Sequence, residues 1–174
     1  AAASAPDHGQ LLPWRFVQVP DTARPWLADV FGQALQARDA QASAEQLAQA
    51  RDKAFRAPVL LLVVVDTRRG DPEVDLNERL VSTGCAVQNM LLMATALGYG
   101  SALTSGKALK AQGLRALFGL QEGEHALCFA SIGNVVSRKP GRPRPEPNDY
   151  VGTLQAPGRV VPGFESTTPR KETV

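Results

Sequence analysis

The stretch APVLLLVVVD, residues 57–66, decides the fold. Its seven consecutive apolar residues, 59–65, favour a β-strand that is covered on both faces. A sheet that contains such a strand needs helices packed against it. The sequence therefore predicts an α+β or α/β protein in which helices cover a sheet.

The longest helical pattern is DLNERLVSTGCAVQNMLLMATAL, residues 75–97. It is almost continuously apolar after Leu80 and is long enough to raise the question of a membrane span. Polar and charged positions argue against a span, namely Asp75, Glu78, Arg79, Gln88 and Asn89. We expect a central core helix that ends at Gly98, and no membrane association.

Shorter patterns surround these two segments. Ser43 with Gln46 three residues later forms a capping-box pattern, and Asp21 or Thr22 could cap the preceding helix. The remaining predicted elements are strands at 14–19, from 99 and at 125–137, and helices at 24–37, 43–55 and 109–120.

Composition excludes several classes of protein. The chain has 174 residues, 44% hydrophobic and 21% charged, as expected for one globular domain. A net charge of +2 does not indicate a nucleic-acid surface. Cys85 and Cys128 lie in apolar runs, and His8 and His125 are the only imidazoles, so neither a disulfide nor a metal site is expected. The first residues lack the pattern of a signal peptide, and a cytoplasmic location is expected.

The C-terminal residues differ in character. RKPGRPRPEPNDY, which starts at Arg138, is basic and proline-rich and is predicted to be extended. Residues 154–174 are expected to form a loosely held tail. We therefore divide the chain into a domain at 1–151 and a tail at 152–174. A basic segment that binds a polyanion in a salt-dependent manner remains one functional alternative.

No set of residues indicates acid–base or nucleophilic catalysis. The sequence has no GxSxG and no GxxxxGK[ST] motif. Gly98-Tyr99-Gly100 follows a helix, whereas a dinucleotide fingerprint follows a strand. Any enzymatic chemistry would therefore come from a cofactor.

Five pieces of the sequence, in order, resemble the flavin-dependent nitroreductase family, in particular its small single-domain members. The resemblance covers residues 1–151. The pieces are SAPDHGQLLPWRFVQV (4–19), FRAPVLLLVVVD (55–66), STGCAVQNMLLMATALG (82–98), YGSALTSG (99–106) and FASIGNVVSRKPGRPRP (129–145).

The resemblance implies an α+β fold with a mixed central sheet flanked by helices, and an intertwined homodimer with FMN at its interface. It further implies an NAD(P)H oxidoreductase that reduces nitroaromatic, quinone or similar acceptors by ping-pong hydride transfer, with NADH or NADPH as donor. Oxidative dehydrogenation and flavin fragmentation remain alternatives with the same cofactor.

The resemblance also implies which residues bind FMN. His8 would approach the flavin across the dimer interface, backbone N–H groups of the 103–106 loop would contact its O4 and N5, and an arginine pair would bind its phosphate. The residues are Ser4, His8, Leu103, Thr104, Ser105, Arg142 and Arg144. An ordinary loop histidine, a plain turn capped by Ser105 and a solvated basic tail with Arg138 and Lys139 are the alternatives.

The sequence departs from the family pattern in two places. It begins after the family's arginine-rich R-(R/S)-S-x-R segment, and Leu12 stands where a polar Gln or Asn is common. Gln10 could replace that contact. These departures leave open a vestigial or non-catalytic flavin-binding dimer. Trp14 is expected to anchor the core.

Overall fold

Strand β2, Val59–Asp66, lies inside a four-stranded sheet in the computed structural model of the protein. The structure describes residues 1–137 and 141–165. β1 (Trp14–Gln18), β3 (Gly100–Thr104) and β4 (Glu124–Gly133) complete the sheet in the order β1-β2-β4-β3. The α+β class is confirmed. The sheet was expected to be mixed, but every neighbouring pair in the described residues is antiparallel.

Four helices belong to the same unit as the sheet, residues 1–136. Ser43 caps α2 with the predicted capping box: its Oγ accepts from the Gln46 amide at 3.2 Å, and its own amide donates to the Gln46 side chain at 2.8 Å. The helices are α1 (Arg24–Arg38), α2 (Ala44–Asp52), α3 (Leu76–Ala96) and α4 (Gln112–Leu117).

Two local predictions were wrong. Neither Asp21 nor Thr22 caps α1, because a 3₁₀ turn at Asp21–Ala23 leads directly into the helix. The helix predicted at 109–120 is divided into a 3₁₀ turn, Lys107–Lys110, and the short helix α4. Ala111 interrupts them in an extended conformation with φ −72° and ψ 139°.

The two faces of the sheet carry different cores. On one face Leu62, Val64 and Phe129 are buried together with apolar residues of α1 and α4. On the other face Val63 and Ala130 pack with residues of α3. The alternation of side chains along β2 and β4 produces this division, and it explains why residues 59–65 are apolar without interruption.

Buried Arg24 joins the two ends of the segment between β1 and β2. It donates to the carbonyl oxygens of Val19 at 2.8 Å, Ala54 at 2.6 Å and Pro58 at 3.2 Å. The Val19 amide also donates to Leu60 at 2.9 Å. The chain therefore leaves the sheet and returns to it at almost the same point.

The second unit comprises residues 137–174. It contains a short helix, α5 (Pro147–Tyr150), and a hairpin of β5 (Gly152–Ala156) and β6 (Arg159–Pro162). Part of the expected loose tail is thus regular. The turn between the two strands contains Gly158, which has a positive φ of 74° that glycine accepts easily. Among the described residues, no helix combines the length and apolarity needed to cross a membrane.

Candidate functional site

The loop that follows β3 lines a cleft of about 470 Å³ on the α1 side of the sheet. The apolar part of its wall includes Leu60 of β2, Phe129 of β4 and Phe31 of α1. The rings of Phe31 and Phe129 meet edge to face, with centroids 5.6 Å apart. Because that core is tightly packed, the cleft has a rigid apolar floor.

The charged residues of the cleft wall are all basic. Arg38 ends α1, Lys53 follows α2, Arg56 precedes β2, and Lys107 follows β3. No carboxylate is among the described residues that line the cleft, and no ion pair within 4.0 Å involves these four cations in the described chain. Such a concentration of unpaired positive charge favours an anionic ligand.

Two of the predicted cofactor residues line this cleft. Thr104 and Ser105 do so together with Gly106, and all three are exposed. Leu103 is 46% exposed but is not part of the cleft wall. Since neighbouring strand residues point to opposite faces, Leu103 lies on the other side of β3 from Thr104.

The predicted residues of the opening loop lie elsewhere. Ser4 is exposed at the end of a 3₁₀ turn, Ala2–Ser4, that packs against α3. His8 Nδ1 is hydrogen-bonded to the carboxylate of Glu78 in the first turn of α3. The opening loop is therefore on the α3 side of the sheet, and a single chain does not bring Ser4 or His8 into the cleft.

Glu78 sets the protonation of His8. The hydrogen bond and then the negative charge of Glu78, with a smaller contribution from Asp71, raise the pKa of His8 above its ordinary value of 6.5. The imidazolium is therefore favoured in the folded chain.

The opening loop has an unusual backbone. Gln10 and Leu12 have positive φ values of 53° and 50°, which side chains other than glycine, asparagine and aspartate rarely adopt. The Leu12 amide donates to Asp7 at 2.7 Å, and the Asp66 amide donates to the Pro13 carbonyl at 2.7 Å. These bonds hold the loop in a strained conformation, as is common at functional sites.

Arg142 and Arg144 lie in the second unit, on exposed chain ahead of α5. Their contact with a phosphate stays a prediction. Arg138 and Lys139, which were assigned to the basic tail, lie outside the described residues. Cys128 is partly buried, and this raises the pKa of its thiol and leaves it less reactive.

The sequence analysis missed the basic wall of the cleft. Arg38, Lys53, Arg56 and Lys107 belong to separate segments, and none of them forms a recognisable motif. One signal was available: FRAP ends directly at the start of the buried strand β2, so Arg56 had to lie at the edge of the sheet. Only the folded chain shows the four together.

Known proteins match this chain in sequence. The family described as "Nitroreductase family" matches residues 1–134. A Haemophilus influenzae protein named "Putative NAD(P)H nitroreductase" is 32% identical over 138 residues, which are 79% of this chain and 74% of that protein.

Two solved structures show the same fold. A nitroreductase-like family protein from Bacillus cereus superposes with a TM-score of 0.72 at 19% identity, over 89% of this chain and 80% of that one. A mutant of NfnB, an "FMN and NADPH-dependent nitroreductase" from "sphigopyxis sp. strain HMH", has a TM-score of 0.68 at 19% identity, over 89% and 85%. The nitroreductase-like fold is therefore confirmed.

Proposed function

Because this chain belongs to the nitroreductase family and is thus an oxidoreductase, we propose that it is an FMN-dependent NAD(P)H oxidoreductase acting on nitroaromatic, quinone or similar electron-poor acceptors. The cleft beside Thr104 and Ser105 is the observation that carries this proposal. Its volume of about 470 Å³ lies in the range that is usual for cofactor sites.

The residues of the cleft suit both parts of FMN. The apolar floor with Leu60 and Phe129 would accept one face of a flat ring system. The exposed backbone of residues 104–106 would offer N–H groups to the ring edge. Lys53, Arg56 and their basic neighbours would bind a phosphate dianion, since charge-assisted hydrogen bonds to phosphate are strong.

When bound, the flavin would accept a hydride from NAD(P)H and pass electrons to the acceptor in a ping-pong cycle. The contribution of the chain is to bind and orient. Lys53 and Arg56 would stabilise negative charge in the cleft, and the packed Phe31–Phe129 pair keeps the floor fixed. None of these functions needs a catalytic side chain.

We further propose that the protein acts as a homodimer with shared sites. Helix α3 carries large exposed apolar side chains, among them Val81 at 65% and Leu92 at 59%, and Leu97 at its C-terminal end is 66% exposed. Exposed apolar patches often mark an interface between proteins. A second copy placed on α3 would cover these side chains and would lie close to Ser4 and His8, which are on the same side of the sheet.

An absorption spectrum of the protein purified without added flavin, and then of the protein loaded with FMN, tests the proposal. We expect a bound oxidised flavin that is bleached anaerobically by NADH or NADPH. Lys53→Gln should weaken FMN binding about tenfold, the loss of one charge-assisted hydrogen bond. Arg69→Gln is the control, because Arg69 follows the opposite end of β2.

Two results would contradict the proposal. If the protein does not bind FMN, FMN is not its cofactor. If Lys53→Gln and the wild type bind FMN with equal affinity, the cleft is not the FMN site. Flavin that stays oxidised with both donors would support the alternative, a non-catalytic flavin-binding dimer. The 44% exposed, apolar Leu12 at a position where a polar contact was expected favours that alternative.

A further inference from the structure

A second cleft, also of about 470 Å³, lies beside the first along α1. Residues Gln33, Ala34 and Ala37 of α1 line the second cleft, whereas Phe31 and Leu35 line the first. These positions define two adjacent faces of one helix. The two clefts therefore adjoin each other along α1.

Two cations line both clefts. Arg38, at the C-terminal end of α1, and Lys107, after β3, belong to both walls. The second cleft adds Lys110, which is exposed, and the amide side chains of Gln33 and Gln112. None of the described residues in its wall is acidic, and Lys110 forms no ion pair within 4.0 Å in residues 1–137 and 141–165.

The two clefts together hold more positive charge than FMN requires. Arg38, Lys53, Arg56, Lys107 and Lys110 carry five positive charges, whereas one phosphate monoester carries about −1.5 to −2. Unpaired cations this close repel one another and weaken the fold. Their arrangement is explained if a second phosphorylated ligand lies next to the first.

Resting on the proposed function, we propose that the second cleft binds the adenosine phosphates of the electron donor, and that the donor is NADPH rather than NADH. NADPH differs from NADH by one phosphate at the adenosine 2′ position. Lys110 and Lys107 would pair with this phosphate, and Gln33 and Gln112 would donate hydrogen bonds to it or to the ribose. The nicotinamide end would then extend past Arg38 towards the first cleft.

Binding of adenosine 2′,5′-bisphosphate and of 5′-AMP to the FMN-loaded protein, measured by titration calorimetry, tests the site without turnover. We expect the bisphosphate to bind at least about tenfold more tightly, the effect of one charge-assisted contact. The difference should shrink at high salt. Lys110→Gln should lower the affinity for the bisphosphate about tenfold, and Arg69→Gln should not change it.

Steady-state kinetics provide the second measurement. In Lys110→Gln the ratio of kcat/KM for NADPH to that for NADH should fall about tenfold. Equal binding of the two adenosine nucleotides, or an unchanged ratio in Lys110→Gln, overturns the inference and leaves the proposed function intact. Flavin that neither donor reduces overturns the proposed function instead, and the calorimetric comparison still decides whether the cleft selects a 2′-phosphate.

Discussion

His8 in the opening loop is hydrogen-bonded through Nδ1 to Glu78 in the first turn of α3, seventy positions further along the chain. Both side chains are largely exposed, so the pair contributes little to the packing. It connects the loop that precedes β1 to the helix that covers one face of the sheet. The protonation state of the imidazole determines the strength of this hydrogen bond.

The pair makes the opening loop sensitive to pH. The pKa of His8 is raised in the folded chain. The stabilising effect of the His8–Glu78 pair is therefore complete at a pH below the unfolded pKa of 6.5, and it is lost as the pH rises through the folded pKa. We expect Glu78→Gln to lower the His8 pKa. An NMR titration of the imidazole protons measures the change.

Glu73→Gln is the matched control for this titration, since Glu73 is also exposed and lies near the start of α3. It should leave the His8 titration close to that of the wild type. If Glu78→Gln and the wild type titrate together, Glu78 does not control the charge of His8.

Leu12 should be a site of stabilising mutation. Its φ of 50° disfavours leucine, whereas asparagine tolerates this region, and the side chain is 44% exposed. We expect Leu12→Asn to raise the free energy of unfolding by about 1 kcal/mol. Urea denaturation measures this change in the free energy of unfolding. Leu12→Ala, which keeps the unfavourable φ without the amide, should give no such gain, and an equal gain in both variants would refute the explanation.

Arg79 should be required for folding of the loop before α3. It is 1% exposed and donates to the carbonyl oxygens of Val74 at 2.9 Å, Arg69 at 2.6 Å and Asp71 at 2.6 Å. Arg79→Met leaves these acceptors without their donor and should destabilise the protein by about 3 kcal/mol or more.

Thermal and urea denaturation of Arg79→Met measure the loss. Arg68→Met is the control, because Arg68 is exposed and its pairing with Glu122 is a surface contact that is screened by water. Arg68→Met should unfold close to the wild type. Similar midpoints for both variants would show that the buried network is dispensable.

Glu124 should control stability in acid. Arg15 donates to both of its carboxylate oxygens, at 2.6 and 2.9 Å, and holds the pKa of Glu124 below its ordinary value of 4.5, with help from the Gln121 amide. This stabilisation is present above pH 4.5 and is lost as the pH falls through the lower folded value. Glu124→Gln should therefore have a lower free energy of unfolding than the wild type at neutral pH. On acidification this free energy should fall less in the variant than in the wild type, and circular dichroism follows the unfolding.

The exposed apolar side chains of α3 should control self-association. A lysine at Val81 or Leu92 places a charge on the proposed dimer interface, and its burial there would be costly. We expect either variant to sediment as a monomer at concentrations where the wild type is a dimer. Trp26→Lys, which replaces a 62% exposed side chain on α1, should stay dimeric. A monomeric wild type would exclude the dimer.

Much of the first unit was predictable because local patterns and tertiary packing agree there. Residues 59–65 are apolar on both faces because two different cores meet at β2. The helix predicted at 75–97 is observed as Leu76–Ala96, and Asp75 caps it through the amides of Asn77 and Glu78. Ser43 and Gln46 form the predicted capping box.

The features that the sequence did not predict depend on contacts distant along the chain. The basic wall combines Arg38, Lys53, Arg56 and Lys107, which no periodicity connects. The β5–β6 hairpin was missed because its strands are short and largely exposed, so they lack a clear apolar alternation. The separation of His8 from Thr104 by the sheet also became visible only in the fold.

The three hydrogen bonds of the Arg24 side chain have a consequence for the changes of length that this chain tolerates. Because its guanidinium binds the carbonyl oxygens of Val19, Ala54 and Pro58, the entry and exit of residues 20–58 are fixed to each other independently of what lies between them. Closing a longer loop costs little extra entropy. Insertions or deletions between α1 and α2 should therefore leave the sheet unchanged. Residues 20–58 are thus a segment in which evolution or design can replace the residues that line a ligand-binding cleft.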